Sequence, residues 1–222
     1  KLSISFLSSV VLSCSESNED YLVKKAGAPL LNGLGTHSHN ISTENTGAQR
    51  YFNQGLVLSF AFNHAESIRS FKAAQRLDSD CAMCYWGEAL SRGPNINVTS
   101  DGKVVMSDSD RIEAFKAIEK AKELMHSVSL KEQDYITALS SRYNGKTGTD
   151  RNLLDRQYAE SMEALSKKYP EDMDAASLFA ESLMNTMPWN YWAEDGNPKP
   201  DTIKVISSLE DVLEKVPSHP LA

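Results

Sequence analysis

The chain has 222 residues, of which 41% are hydrophobic and 24% are charged. This balance excludes an intrinsically disordered chain, which would be less hydrophobic, and a protein with many membrane spans, which would carry fewer charges. The formal net charge of -7 and the sequence pI near 5.3 argue against a nucleic-acid-binding surface, because such surfaces are basic.

The first fourteen residues are more apolar than the rest of the chain. Lys1 precedes a run of about a dozen mostly apolar residues, which is too short to span a bilayer and is typical of a signal-peptide core. Residues 11–14 read Val-Leu-Ser-Cys and are similar to a bacterial lipobox, in which the cysteine is lipidated. We therefore expect residues 1–14 to direct export and Cys14 to carry a lipid anchor, the one membrane attachment predicted. The alternative is an apolar terminus with a chance cysteine.

Residues 15–46 are named the lead-in segment here. They begin with a polar run and continue through four glycine and proline residues between positions 27 and 35. Glycine and proline at this density disfavour regular structure. We expect a flexible tether followed by an irregular stretch that leads into the body of the protein.

The first predicted helix pair alternates large and small side chains. Large Tyr51 precedes small Gly55 by one turn, and the next helix carries small Ser67, large Phe71 and small Ala74. Small residues let two helices approach closely, and large residues one turn away fill the space between them. This alternation is typical of the tetratricopeptide (TPR) repeat, an antiparallel helix pair of about 34 residues.

Three further helix pairs follow in phase, and no stretch shows the period of two that strands require. Their marker residues are Tyr85, Ala89, Ala114, Ile118, Ala121, Tyr158, Met162, Leu165, Ala176, Ala180, Leu183, Val205, Leu209 and Val212. Ser129 and Glu132 stand three residues apart, which predicts a capping box at the start of the third pair. The predicted fold is an all-α, TPR-like α-solenoid of about eight helices over residues 47–222, preceded by the irregular lead-in segment.

Two of the repeats carry an insertion between their first and second helices. The first insertion covers residues 93–107 and the second covers residues 188–200. Insertions at equivalent turns of a repeat array project from one face, which is often the binding face. We expect a protein or peptide partner to contact them, the alternative being tolerated loops without a role. The candidate contact residues are Trp189, Tyr191, Trp192, Asn95 and Asn97.

Cys81 and Cys84 form a CxxC pair at the predicted start of a helix. The next residue is Tyr85 rather than histidine, so covalent haem attachment is not indicated. Three roles remain open. The pair can form a local disulfide or a packed structural pair in an exported protein, it can bind a metal, or its first thiol can be acidified by the helix N-terminus for redox chemistry.

His37 and His39 form an HxH pair within the lead-in segment. Together with either His64 or the cysteine pair Cys81 and Cys84, they would make a chemically plausible Cu or Zn site. Such a site requires the lead-in segment to fold back against the helices. The alternative is a pair of solvent-exposed histidines and a protein without a cofactor.

The chain lacks common catalytic signatures. It has no glycine-rich phosphate loop, no GxSxG and no HExxH. Most Asp and Glu residues fall on predicted exposed helix faces, where they pair with neighbouring lysines. We predict no catalytic residue and favour a role other than that of an enzyme.

Several of these segments together resemble a group of bacterial exported TPR proteins of largely uncharacterised function. The resemblance rests on residues 34–39, 51–55, 62–66, 81–97, 191–192 and 198–200. It implies a periplasmic or outer-membrane lipoprotein of the cell envelope, with further repeats beyond residue 222, and it implies no particular reaction. The sequence therefore predicts an exported scaffold for protein or peptide binding. A Cu- or Zn-binding or redox envelope protein is the alternative.

Overall fold

The computed structural model describes residues 18–98, 106–146 and 149–222, so Cys14 and the predicted signal sequence lie outside the described residues. The described residues form nine α-helices and no β-strand, and the fold is all-α as predicted. The helices are α1 (Asn18–Ala26), α2 (Thr46–Phe60), α3 (His64–Leu77), α4 (Ala82–Arg92), α5 (Asp108–Leu124), α6 (Leu130–Ser140), α7 (Arg151–Lys168), α8 (Met173–Thr186) and α9 (Pro200–Lys215). A 3-10 turn, Met125–Ser127, follows α5. None of the helices in the described ranges combines the length and the apolar character that crossing a bilayer requires.

Helix α1 is an element that the sequence pattern did not indicate. Its first turn carries Glu19 and Asp20 and its last turn is basic, a distribution that suits the helix dipole. The helix packs against α3, where Arg76 donates a hydrogen bond of 2.6 Å to the carbonyl of Ala26. Gly27 follows with a φ of 66°, a conformation that glycine adopts without strain. Part of the lead-in segment therefore belongs to the folded body.

From α2 to α9, each helix packs against the next one along the chain, and α2 also contacts α4. The helices begin where a side chain can accept from their first amides. Asn45 caps α2 and Asp172 caps α8 in this way. The predicted capping box is present at α6, where Ser129 and Glu132 each bond the backbone of the other.

The aromatic ring of Phe71 on α3 fills the space between α2 and α4. A methyl group at Gly55 on α2 would lie 2.9 Å from Cζ of this ring, and one at Gly87 on α4 would lie 2.2 Å from Cε1. Both positions are therefore restricted to glycine if the ring stays where it is. Tyr51 on α2 and Ala74 on α3 are also fully buried.

A buried ionic cluster lies where the first insertion meets α7. Arg142 and Arg151 both approach Oδ1 of Asp155, at 3.3 and 2.8 Å, and all three side chains are nearly inaccessible to solvent. The guanidinium of Arg142 also lies over the ring of Tyr158 and donates to the carbonyl of Pro94 at 2.9 Å. The cluster thus anchors the beginning of the first insertion to the helices.

Candidate metal centre

The backbone around His39 is held against α2 by two amide side chains. Gln49 donates from Nε2 to the carbonyl of His39 at 2.8 Å and accepts at Oε1 from the N–H of Ile41 at 3.0 Å. Asn53, one turn later, accepts from the N–H of His39 at 3.2 Å. The lead-in segment therefore folds back against the helices, the condition on which the predicted histidine site depended.

Three histidine side chains converge on the carboxylate of Asp174, in the first turn of α8. Its Oδ1 lies 3.0 Å from Nε2 of His37 and 3.0 Å from Nε2 of His219. Its Oδ2 lies 2.6 Å from Nδ1 of His39. Asp174 is only 7% exposed. One buried carboxylate is thus shared by imidazoles from both ends of the described chain.

His219 follows α9 and is 5% exposed. Its Nδ1 accepts from the backbone N–H of Leu221 at 3.3 Å and of Ala222 at 3.4 Å. In a neutral imidazole, a nitrogen that accepts leaves the proton on the other nitrogen. The proton is therefore assigned to Nε2, where it points at Asp174.

The pKa of Asp174 is held well below its ordinary range. Burial acts to raise this pKa, because it penalises the charged carboxylate, but the imidazoles of His219, His37 and His39 outweigh it. Asp174 is therefore a carboxylate anion throughout the neutral range. An anion buried to this degree requires compensating partners, which the three rings supply.

The donor atoms of His37, Asp174 and His219 are spaced as a metal ion would require. All three ligand atoms lie within 4.8 Å of one another. Around a tetrahedral ion with bonds of about 2.0–2.1 Å, donor atoms lie about 3.3 Å apart, close to the two 3.0 Å distances at Oδ1. Nε2 of His37 is shielded from solvent and has no well-directed hydrogen bond within the described ranges. An ion bound by Nε2 of His219 requires the ring proton to move to Nδ1, where the hydroxyl oxygen of Ser177 lies 3.3 Å away and can accept it.

A cavity of about 670 Å³ opens directly onto this cluster. Its wall includes His37, His39, Asp174, His219 and Lys131. An ion held by three protein ligands at this position would keep one side facing the cavity. That arrangement distinguishes an open site from a closed structural one.

The remaining predicted metal ligands lie elsewhere in the structure. Cys81 and Cys84 are joined in a disulfide at the start of α4, so their sulfurs are not thiolate donors. His64 lies 3.2 Å from the amide nitrogen of Asn95, and burial lowers its pKa. The structure thus unites His37 with His39 but does not group either with His64 or the cysteines.

The predicted contact residues of the two insertions lie close to one another. Trp189 donates from its indole nitrogen to the carbonyl of Ile96 at 2.9 Å, which joins the second insertion to the first. Its ring is 71% exposed and that of Trp192 is 54% exposed. Asn95 accepts from the N–H of Asn97 at 2.9 Å, within a tight turn of the first insertion.

Tyr191 differs from the two tryptophans beside it. It is only partly exposed, and its hydroxyl is buried without a hydrogen-bond partner among the residues described. Burial also raises its pKa. Its side chain therefore packs against the protein, whereas the neighbouring tryptophans face outward.

Two members of the cluster, Asp174 and His219, escaped the sequence-based prediction. Asp174 is 135 residues from His39 along the chain, and His219 is 45 residues from Asp174. An aspartate in the first turn of a helix is ordinarily explained by the helix dipole. The sequence feature that could have indicated His219 is the small number of histidines, since three of the five in the chain meet at Asp174.

No protein-family model matches the chain, and neither a curated protein nor a solved structure matches it. The chemistry of its own side chains is therefore the basis for inferring a function.

Proposed function

We propose that the protein binds a transition-metal ion through His37, Asp174 and His219. The observation that carries this proposal is the sharing of one buried carboxylate oxygen by two imidazole nitrogens at 3.0 Å each. Two imidazoles and a carboxylate suit Zn²⁺ well and also accept Cu²⁺. A metal-binding role was the alternative that the sequence left open, and the convergence of these residues makes it the leading candidate.

His39 is proposed to orient the carboxylate in this arrangement. Its Nδ1 is 2.6 Å from Oδ2 of Asp174, so Oδ1 is the oxygen that would face the ion. Groups that hydrogen-bond a metal ligand fix its rotation and strengthen its binding. Gln49 and Asn53 extend this support by holding the peptide of His39.

An ion held in this way would have a free coordination position. Three protein ligands with a fourth position for water or substrate are the arrangement of catalytic zinc sites, among them sites with two histidines and one carboxylate. A bound ion of this kind lowers the pKa of its water and polarises carbonyl groups. The cavity beside Asp174 gives a ligand room to reach that position.

The scaffold is proposed to be a TPR-like solenoid in the cell envelope, anchored through Cys14. Neighbour-to-neighbour packing of the helices and the nesting of Phe71 between Gly55 and Gly87 support the repeat assignment. The apolar residues 1–13 and the cysteine that follows support export and lipidation.

The metal proposal is tested by elemental analysis of protein purified without an affinity tag and equilibrated with Zn²⁺. About one tightly held ion per chain is expected, and Asp174→Asn or His219→Ala should abolish its retention. His126→Ala is the matched control, because His126 is an exposed histidine in the 3-10 turn that follows α5 and its loss should leave binding intact. Circular dichroism would separate loss of the site from loss of fold. A folded wild-type protein that retains no zinc, copper or other transition metal would exclude the proposal.

A second candidate function is binding of a protein or peptide by the surface of the two insertions. It is favoured by the exposure of Trp189 and Trp192, since exposed aromatic side chains often anchor interfaces. Recovery of a partner from envelope extract should be lost in the double variant Trp189→Ala, Trp192→Ala. Recovery that is equal for wild type and variant would exclude these residues as anchors.

A further inference from the structure

The second oxygen of Asp174 faces a second set of metal-ligating side chains. Oδ2 lies 2.6 Å from Nδ1 of His39, and one ligand atom from each of His39, Asp172 and Asp174 lies within 4.8 Å of the other two. We propose that Asp174 bridges two divalent cations, the first held with His37 and His219 and the second with His39 and Asp172. This inference rests on the proposed function, because the bridging carboxylate is shared with the first ion.

His37 and His219 lie on one oxygen of Asp174 and His39 lies on the other, and this division points to a pair of ions. A carboxylate that bridges through its two oxygens suits metal ions about 3.5–4 Å apart, as in two-metal enzymes. Both His39 and Asp172 line the same cavity as the first group, so a second ion would be reached through the same opening. His39 and Asp174 are both buried, which fixes the geometry of the bridge.

The second ion has to displace Lys131 from Asp172. Lys131 lies 2.8 Å from Oδ2 of Asp172, but this lysine is 42% exposed and its ammonium can turn into solvent. The other oxygen of Asp172 continues to cap α8 and to accept from Tyr135 at 3.0 Å. The structure of α8 is therefore preserved when a cation takes the place of the lysine.

The second ion is expected to bind more weakly than the first. It must take Nδ1 of His39, which moves the imidazole proton to Nε2, and Nε2 is buried without an acceptor among the described residues. A buried donor without a partner is costly. We expect the second dissociation constant to exceed the first by about tenfold or more.

The experiment counts Co²⁺ ions bound to metal-free full chain by titration calorimetry and elemental analysis, with electron paramagnetic resonance as a second readout. Wild type should bind two ions in sequence, and the signal per ion should fall as the second site fills, because bridged ions couple magnetically. Asp172→Asn and His39→Ala should each bind one ion. Asparagine is also a good helix N-cap, so Asp172→Asn is expected to keep α8 folded.

The matched control is Asp134→Asn, which removes a carboxylate that pairs with Lys168 on the wall of the same cavity but belongs to neither group. This variant should still bind two ions. One ion in wild type would overturn the bridged pair and leave the proposed function standing, whereas no ion at all would overturn both. Two ions that do not couple, or two ions retained by Asp172→Asn, would place the second ion elsewhere and overturn the inference.

Discussion

The side chain of Gln49 on α2 donates a hydrogen bond to the backbone carbonyl of His39 at 2.8 Å and so fixes the peptide that carries the imidazole. Replacing Gln49 by alanine should therefore loosen His39 without removing any proposed ligand. We expect the affinity for Zn²⁺ to fall by about tenfold, the lower end of the effects seen for groups that support metal ligands. Titration calorimetry on metal-free protein measures this change.

The control for this variant is Gln75→Ala. Gln75 on α3 donates to the carbonyl of Cys84 at 3.2 Å and to Glu88 at 2.9 Å, a similar role away from the histidine cluster. It should cost stability while leaving the affinity for zinc unchanged. Equal affinities in wild type and Gln49→Ala would show that the HxH peptide keeps its position without this side chain.

Alanine at position 87 should destabilise the protein more than alanine at position 55. The added methyl group would lie 2.2 Å from the ring of Phe71 in Gly87→Ala but 2.9 Å in Gly55→Ala. Overpacking of this kind costs about 1–3 kcal/mol, partly offset by the better helix propensity of alanine. Urea denaturation gives the free energies of unfolding. If Phe71→Leu in the same chain failed to restore part of the stability lost in Gly87→Ala, the clash with this ring would not be the cause.

Removal of the Asp155 carboxylate should be strongly destabilising. Asp155→Ala leaves the guanidinium groups of Arg142 and Arg151 buried together without an anion between them. Breaking a buried ion pair from one side costs about 3–5 kcal/mol, most of it from the charge left unpaired.

Asp201→Ala is the comparison for this variant, since Asp201 pairs with the half-exposed Arg156 at 3.3 Å. Exposed pairs contribute about 1 kcal/mol or less, so the melting temperature should fall steeply only in Asp155→Ala. Similar losses in the two variants would contradict the importance of the buried cluster.

Ionised Glu132 should contribute free energy of folding that is lost when the carboxyl is protonated at acid pH. Burial acts to raise the pKa of this carboxyl, but hydrogen bonds from Ser129 and Ser42 outweigh it and the net pKa is lowered. The pKa of Glu132 is therefore lower in the folded state than in the unfolded chain, where it is about 4.3. The stability that the ionised carboxylate contributes is complete above the unfolded pKa and is lost as the pH falls through the folded pKa.

The stability difference between wild type and Glu132→Gln should therefore be about 1–2 kcal/mol at pH 7 and shrink below pH 4. Urea titrations at pH 7 and pH 3.5 measure it. Glu214→Gln, a change on the exposed side of α9, should show no such trend. A difference for Glu132→Gln that stays constant with pH would argue against the lowered pKa.

The sequence predicted the helices well where local chemistry determines them. The capping box of Ser129 and Glu132 lies within one helical turn, and the pairing of Gly55 with Phe71 lies within two consecutive helices; both are observed. Helix α1 was missed because its polar composition is equally compatible with a solvated tether. The disulfide of Cys81 and Cys84 was one of three roles that a CxxC pair permits.

The candidate site was predicted only in part, and the reason is distance along the chain. His37 and His39 are recognisable as a pair because they are two residues apart, and they lie in the cluster. Asp174 is brought to them by the packing of helices α2 to α8 against one another, which no local pattern encodes. His219 follows α9 in the chain and reaches Asp174 only through the fold, so its role is recognised only when the structure is known.

The shared carboxylate of Asp174 affects how two distant segments of the chain can open. Segments with few buried contacts open more readily than the centre of a packed helical body. His39, which precedes α2, and His219, which follows α9, both form hydrogen bonds with Asp174 of α8. Release of either segment from α8 must break its hydrogen bond to Asp174, and an ion bound by these residues would hold both segments to α8 at once.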